Sequence, residues 1–257
     1  MRLVAEHVTV VFGHGSRAHL ALDDVSLAVA PGRTLGLVGE SGSGKSTLAR
    51  AVVGLVRPRS GRILLDGADL GGLRRSELTR ARRRVQLISQ DPYASLNPRM
   101  TVGQAVAEAI DPRRADVRAH AAEVRRWLET VALDGAAMDR YPHEFSGGQR
   151  QRIAIARALA VEPDVIVADE ITSALDCSVQ AEVLNLLAGL RARLRLTMLF
   201  ISHDLAVVRH VSDEVAVMRS GRIVEHGPCA RVYGEPAHPY TRSLIDSVPS
   251  FPLQEAS

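Results

Sequence analysis

Residues 39–47 read GESGSGKST, and their types and spacing suit contact with a chain of phosphates. The stretch fits the pattern G-x-x-x-x-G-K-[ST] through Gly39, Gly44, Lys45 and Ser46. Glycines let the backbone wrap closely around a phosphate, and amide N–H groups at a helix N-terminus point toward the anion. A lysine at this spacing reaches the terminal phosphates, while the serine hydroxyl holds Mg²⁺. The stretch therefore predicts a site for a nucleoside triphosphate with Mg²⁺.

The residues on either side predict the strand and the helix that such a loop requires. Residues 34–38 are typical of a short buried strand. A helix is expected from about Lys45, because Leu48, Val52 and Leu55 recur at helical spacing. A glycine-rich turn without a ligand is the alternative, and this context disfavours it.

Two later strands are predicted to end in polar side chains. Residues 165–168 form a continuous apolar run, which is typical of a strand buried on both faces, and Asp169 and Glu170 come next. Residues 197–202 form a second such run, followed by His203. Ligands of an open α/β sheet lie beyond the carboxyl ends of its strands. We therefore expect these side chains beside the phosphate loop.

A second anion-binding signal begins at Ser146, which is followed by two glycines, Gln149 and a helical apolar pattern. Alone this signal is weak, because serine is a common helix N-cap.

Elsewhere, alternating apolar residues predict two early strands joined by a loop with Gly13 and Gly15. Between Gln90 and about Ala160 the pattern is helical, and one helix is predicted to carry Val117, Ala121, Val124, Leu128 and Val131.

The composition of the 257 residues, 46% hydrophobic and 24% charged, is that of an ordinary globular protein. A net charge of +3 is too weakly basic to indicate nucleic acid. The apolar run of residues 196–201 is far shorter than a membrane span, and the N-terminus lacks a signal-peptide core. Cys177 and Cys229 are interpreted as buried or half-buried thiols. These features predict a cytoplasmic protein that reaches any membrane through a partner.

The motifs occur in one order along the chain: Phe12, GESGSGKS (39–46), Gln90, FSGGQRQR (145–152), VIVADE (165–170), SALD (173–176) and His203. In the order and content of these motifs, the sequence closely resembles the ATPase subunit of ATP-binding cassette (ABC) transporters, and the resemblance covers nearly the whole chain. The resemblance implies an α/β P-loop NTPase with a RecA-like core, an antiparallel β-subdomain and an inserted helical signature subdomain. It implies one domain over 1–257: a core with the β-subdomain at 1–90 and 161–228, helices at 91–160, and a tail at 229–257.

Three longer segments narrow the resemblance to the oligopeptide/dipeptide/nickel importer branch. They are SQDPYASLNPRMTVG (89–103), ADEITSALDCSVQAEVLNLL (168–187) and EPAHPYTRSLIDSVP (235–249). The last of these is expected to pack against the domain or to touch a permease.

The resemblance also implies a role for each motif residue in binding and hydrolysing ATP. Phe12 stacks on the adenine. Gln90 contacts Mg²⁺ or the attacking water, Asp169 and Ser46 hold Mg²⁺, Glu170 is the general base, and His203 contacts the γ-phosphate. The other loop residues expected to bind ATP are Gly39, Glu40, Ser41, Gly42, Ser43, Gly44, Lys45 and Thr47.

The signature residues are expected to act on a different nucleotide. By resemblance, Ser146, Gly147, Gly148 and Gln149 close over ATP bound to a second ATPase subunit, either the same chain or a paralogue. Asp176 crosses that interface and couples the two sites. Family members usually have proline after the catalytic glutamate, whereas this chain has Ile171; the glutamate itself is unchanged, so hydrolysis is expected.

The expected partners are two membrane permeases at the cytoplasmic face and, indirectly, an extracytoplasmic solute-binding protein, with no nucleic acid. DNA-repair ATPases share these motifs, but their coiled coil has no room in the 56 positions between Gln90 and Ser146. Translation-associated cassette proteins carry two cassettes, and this chain has one. A soluble cassette ATPase attached to a phosphonate-degrading enzyme complex stays open as the alternative to an importer of peptides, nickel or related solutes.

Overall fold

The structure, a computed structural model, describes residues 2–13, 15 and 18–247. It is an α/β fold with two sheets. The strands are β1 Leu3–Phe12, β2 His19–Val29, β3 Thr34–Val38, β4 Ser60–Leu65, β5 Ala68–Asp69, β6 Val85–Ile88, β7 Val165–Asp169, β8 Thr197–Ile201, β9 Glu214–Arg219 and β10 Arg222–Pro228. The helices are α1 Lys45–Val52, α2 Arg75–Arg84, α3 Pro92–Ser95, α4 Val102–Ile110, α5 Ala121–Thr130, α6 Gly147–Leu159, α7 Cys177–Leu194, α8 Leu205–Val211, α9 Cys229–Gly234 and α10 Pro239–Asp246.

The larger sheet has the strand order β10-β9-β3-β8-β7-β6. The pairs from β9 to β6 are parallel, and β10 is antiparallel to β9. Every residue of β3, β7 and β8 is buried, which agrees with their continuous apolar sequences. The predicted strands at 34–38, 165–168 and 197–202 are thus confirmed, and they are neighbours in the sheet.

Alternate residues of these strands pack into two different cores. Val165 and Val167 join one core with α1, β1 and β2, whereas Ile166 and Ala168 join the other with α4 to α7. The sheet is therefore covered on both faces, and its carboxyl-terminal edge is left to carry polar groups.

The smaller sheet is antiparallel, with the order β2-β1-β4-β5. It contains the two early strands predicted from alternating apolar residues. Phe12 at the end of β1 pairs in register with His19 at the start of β2. Phe12 therefore lies at the end of a hairpin, where its ring is 44% exposed.

The predicted helix through Val117 is shorter than the apolar stripe suggested. It begins at Ala121, because Asp116 accepts hydrogen bonds from the N–H groups of Arg118 (2.9 Å) and Ala119 (3.3 Å) and so holds a separate turn. Val131 is buried just after the helix ends. The stripe faces the core as expected, but it spans a turn and a helix.

The helix expected from about Lys45 is confirmed, since α1 begins at that residue, but Leu55 does not belong to it. Helix α1 ends at Val52, since Gly54 adopts φ +73°, and Leu55 beyond it is 68% exposed. Cys177, expected to be buried or half-buried, is instead exposed at the first turn of α7, whereas Cys229 is half-buried as expected. Burial raises the pKa of the Cys229 thiol to about 11. Within the described ranges, no helix combines the length and apolar character needed to cross a bilayer.

Candidate functional site

The phosphate loop joins β3 to α1 and is packed closely against backbone on two sides. Gly39 has φ +152°, and a Cβ there would overlap the carbonyl oxygen of Met218 on β9. Gly44 has φ +111°, and a Cβ there would lie 2.7 Å from the carbonyl oxygen of Ala21 on β2. Only glycine fits at both positions, so the loop's path is set by β9 and β2.

Lys45 is almost fully buried, and its ammonium group is hydrogen-bonded to the first two residues of the loop. Its Nζ donates to the carbonyl oxygens of Gly39 (2.7 Å) and Glu40 (2.8 Å) and lies 3.9 Å from Oε1 of Glu170. Burial lowers the pKa of Lys45, and the carboxylates of Glu170 and Asp169 oppose this effect. Lys45 is also the only lysine in the sequence, which the phosphate-loop motif does not indicate.

The acidic pair lies where the strand patterns predicted. Asp169 is the last residue of β7 and is buried. Its Oδ1 accepts a hydrogen bond from the Ser46 hydroxyl, with 3.1 Å between the two oxygens. Burial raises the pKa of Asp169, and the hydrogen bond from Ser46 partly offsets this. Glu170 follows with φ +50°, and its N–H donates to the carbonyl of Ile201 at 2.9 Å. With this left-handed backbone, Glu170 has its carboxylate close to Lys45 of the loop.

His203 lies close to Glu170, and Gln90 is connected to Glu170 through Ser173. Nδ1 of His203 lies 3.4 Å from Oε2 of Glu170. Nε2 of Gln90 donates to the Ser173 hydroxyl (3.2 Å), which donates to the carbonyl oxygen of Glu170 (3.0 Å). Ser173 thus links the glutamine to the acidic pair. Sequence reasoning quoted Ser173 within a motif but gave it no role.

Lys45, Ser46, Gln90 and Glu170 line a cleft of about 610 Å³, whereas Asp169, Ser173 and His203 are not among its lining residues. Exposed apolar side chains of Phe12 and Leu20 form one wall, and the phosphate loop with Lys45 forms another. An apolar wall beside an anion-binding loop suits a nucleotide, which has a flat base at one end and phosphates at the other. The lining residues that the sequence did not suggest are His19, Leu20, Ala21, Ser220 and Gly221.

The signature residues lie at the start of α6 and do not line this cleft. Ser146 and Gln149 form a reciprocal cap, in which the Ser146 hydroxyl accepts from Gln149 N–H (3.3 Å) and Gln149 Oε1 accepts from Ser146 N–H (3.0 Å). Ser146, Gly147 and Gln149 are exposed. Gly148 is buried, and a Cβ there would overlap Cγ1 of Val179.

Asp176 lies at the N-terminus of α7, beside the same valine. Its carboxylate accepts from the N–H of Val179 (3.0 Å) and from the Ser178 hydroxyl (2.7 Å). These bonds, that from Val179 foremost, hold the pKa of Asp176 below its usual range. Val179 therefore brings the starts of α6 and α7 together on one surface of the chain.

The oxygen atoms around the phosphate loop fit a Mg²⁺ ion that is shared with a nucleotide. Across the described residues, no group of three or more His, Cys, Asp or Glu side chains could hold a metal alone. Mg²⁺ is usually bound by one or two carboxylates together with phosphate oxygens. The Ser46 hydroxyl and the Asp169 carboxylate supply such a partial set.

The sequence profile of the family described as ABC transporter matches residues 22–173, more than half of the chain. The chain belongs to the ABC transporter ATPase family. It is an ATP-binding protein with ATPase activity, and its fold is that of an ABC cassette. A second profile, described as the oligopeptide/dipeptide transporter C-terminal region, matches residues 224–256, of which the structure describes 224–247.

Two curated relatives of this ABC ATPase illustrate how much of the chain is shared. It is 54% identical over 230 residues to a putative peptide import ATP-binding protein of Brucella ovis, covering 89% of this chain and 73% of the relative. It is 49% identical over 232 residues to the oligopeptide transport ATP-binding protein OppF of Bacillus subtilis, covering 89% and 76%.

Solved structures of other ABC cassettes share the fold at lower identity. CbiO1 of Clostridium perfringens, part of the ABC transporter complex CbiONQ, aligns with a TM-score of 0.78 and 28% identity over 91% of both chains. A cassette in a dimeric post-hydrolysis state with ADP and Pi aligns with a TM-score of 0.77 and 27% identity. That alignment covers 88% of this chain and 98% of the other.

Proposed function

We propose that this ABC ATPase energises the import of a peptide, nickel or a related solute through two partner membrane permeases. The observation that carries this proposal is the C-terminal match to oligopeptide/dipeptide transporters, which follows a complete set of cassette motifs. The names of the Brucella and Bacillus relatives favour peptides within that range. We place the protein at the cytoplasmic face of the membrane, with an extracytoplasmic solute-binding protein as an indirect partner and no nucleic acid.

The cleft carries out hydrolysis mainly by positioning and by charge. Lys45 and the N-terminus of α1 neutralise the phosphates, and Glu170 orients and deprotonates the attacking water. His203, 3.4 Å from the Glu170 carboxylate, contacts the γ-phosphate. Ser46 and Asp169, together with Gln90, would hold Mg²⁺, which would supply further charge neutralisation.

One chain holds two halves of different sites. The exposed signature residues lie outside the cleft of their own chain, so we assign them to ATP bound by a second ATPase subunit, either the same chain or a paralogue. Asp176, beside the signature helix, lies across that interface in the proposal. Closure of the pair on ATP and its opening after hydrolysis supply the power stroke. The solved dimeric cassette with ADP and Pi supports this arrangement.

The proposed division of the chain assigns residues 1–90 and 161–228 to the nucleotide-binding core with its β-subdomain. Helices α3 to α6 fall within the helical subdomain proposed for 91–160. A groove of about 330 Å³ next to Gln90 lies between β6, α4 and α6. Glu108 and Arg157 line it and lie 3.6 Å apart. We assign this groove to a cytoplasmic helix of a permease.

Affinity purification of the tagged chain from detergent-solubilised membranes of its host tests the importer proposal. We expect two polytopic permeases, and any second ATPase subunit among the recovered proteins would identify the pairing. Recovery of soluble enzymes alone would overturn the importer and favour the phosphonate-type complex.

A pair of variants tests the groove in the same experiment. Glu108→Arg places a like charge beside Arg157 in the groove and is expected to reduce permease recovery. Glu182→Arg is the matched control. Glu182 pairs at 2.6 Å with Arg152, which lies on the same helix as Arg157 but outside the groove. Equal recovery with both variants would contradict the assignment of the groove.

A further inference from the structure

A buried tyrosine of the C-terminal helix, Tyr240, contacts the phosphate loop. Tyr240, in the first turn of α10, accepts a hydrogen bond on its hydroxyl oxygen from the N–H of Glu40 at 3.1 Å. Glu40 is the second residue of the loop, 200 positions away in the sequence. The contact therefore joins the region that matches the oligopeptide/dipeptide profile to the nucleotide site.

Tyr240 is held firmly by its own surroundings. The buried carboxylate of Glu225 accepts from the N–H groups of Ala237 (2.9 Å) and His238 (3.0 Å) just before α10. Nδ1 of His238 accepts from the Tyr240 N–H at 3.1 Å. The guanidinium of Arg219 lies 4.8 Å from the centre of the Tyr240 ring. The ring is 8% exposed, so its hydroxyl has little freedom to leave Glu40.

The peptide groups of Glu40 are used on both sides. The N–H of Glu40 points to Tyr240, and its carbonyl oxygen accepts from Nζ of Lys45 at 2.8 Å and from the Ser43 N–H at 3.2 Å. A residue fixed at both ends sets the direction in which its carbonyl holds the lysine. Tyr240 is thus connected through Glu40 to the ammonium group of Lys45, which binds phosphate in the proposed function.

We propose that Tyr240 is a positioning residue of the ATP site, which holds Glu40 so that the phosphate loop and Lys45 are preformed for ATP. This inference rests on the proposed phosphate-binding role of Lys45. Burial raises the pKa of the Tyr240 hydroxyl, so it remains a neutral phenol across the physiological range. Through this contact, displacement of α10 loosens the ATP site without any residue of α10 touching the nucleotide.

Tyr240→Phe tests the proposal, because it removes the acceptor and keeps the ring over Arg219. Tyr233→Phe is the matched control, since that hydroxyl donates to the carbonyl of Leu205 at 2.7 Å in the same C-terminal region, away from the loop. We expect the dissociation constant for MgATP, measured by calorimetry on the purified full chain, to rise about three- to tenfold in Tyr240→Phe, the usual effect of one lost hydrogen bond. In Tyr233→Phe it should stay within twofold of the wild type.

Hydrogen–deuterium exchange supplies a readout that general loosening would not reproduce. Tyr240→Phe should speed exchange in a peptide covering residues 39–44, and Tyr233→Phe should leave that peptide unchanged. The proposal is overturned if Tyr240→Phe binds MgATP as the wild type does, or if both variants lose affinity equally. If Lys45→Ala also kept wild-type affinity, the phosphate-loop assignment itself would fail. A loss in Lys45→Ala with none in Tyr240→Phe would sink only the role of Tyr240.

Discussion

The hydroxyl of Ser46 donates to Oδ1 of Asp169 at 3.1 Å, although the two residues are 123 positions apart. This contact joins the first turn of α1 to the end of β7. The phosphate loop and the acidic pair are consequently held next to each other. Nζ of Lys45 and Oε1 of Glu170 lie 3.9 Å apart.

Glu170→Gln should keep MgATP binding and slow hydrolysis by about 10²–10⁴, the usual effect of a positioned acid–base group. Glutamine keeps the size of the side chain but cannot take a proton from water. Steady-state phosphate release and ATP binding should be measured on the same preparation. Glu162→Gln is a suitable control, because Glu162 also has a left-handed backbone (φ +52°) but lies before β7, at the opposite end of the strand. Hydrolysis by Glu170→Gln within a few-fold of the wild type would show that another group is the base.

Lys45→Ala should lose ATP affinity by roughly tenfold to a hundredfold, since it removes a charge-assisted contact to phosphate. Equilibrium binding of ATP to the purified variant measures this loss. Arg80→Ala removes a positive charge from the exposed face of α2 and should leave affinity unchanged. Tight binding by Lys45→Ala would contradict the proposed role of the loop.

The single lysine makes an independent test possible. The amines that an acylating reagent can modify are the Lys45 side chain and the N-terminal amine, and peptide mass spectrometry separates the two. We expect MgATP to slow acylation of Lys45 and to leave the rate at the N-terminus unchanged. Equal rates at Lys45 with and without MgATP would mean that the nucleotide does not cover this side chain.

The two signature glycines should respond differently to alanine. A Cβ at Gly147 meets nothing closer than Leu175 Cδ2 at 3.5 Å, so Gly147→Ala should fold normally but hydrolyse ATP more slowly if this surface faces a second subunit's nucleotide. Gly148→Ala would force Val179 to move and should lower the free energy of unfolding by about 1–3 kcal/mol. Thermal unfolding and ATPase assays separate these effects. Unchanged hydrolysis by Gly147→Ala would argue against the two-subunit site.

Glu225 should stabilise the C-terminal helix in a pH-dependent way. Burial alone would raise the pKa of Glu225, but the hydrogen bonds that its carboxylate accepts hold the pKa below the ordinary value of 4.5. Its contribution is therefore fully present above about pH 4.5 and is lost as the pH falls through the lower folded-state pKa.

Glu225→Gln should accordingly lower the free energy of unfolding at pH 7 by about 1–3 kcal/mol, and the difference from the wild type should shrink in acid. Urea titrations at several pH values measure this. Glu235→Gln, an exposed carboxylate of the same region, should show no such trend. A deficit that did not change with pH would mean that the Glu225 charge is not what holds the helix.

Sequence patterns located the central strands, the phosphate loop and the acidic pair, because these signals are local. A run such as 165–168 is apolar throughout because both faces of β7 are buried, and the residues after such a strand lie at its carboxyl end. The glycine pattern at 39–47 is local as well. Two helix boundaries differ from the sequence pattern, because the Asp116 carboxylate delays the start of α5 and the left-handed backbone of Gly54 ends α1.

By itself, the sequence determined the order of the motifs and, through their resemblance to a known family, the fold class and the family, because these motifs are written along the chain. Only the tertiary structure decided which distant residues complete the site. The contacts of Ser173 with Gln90 and of Tyr240 with Glu40 join positions 83 and 200 residues apart. No local pattern encodes them, since they arise only when the sheet and the C-terminal helix bring separate segments of backbone within hydrogen-bond distance.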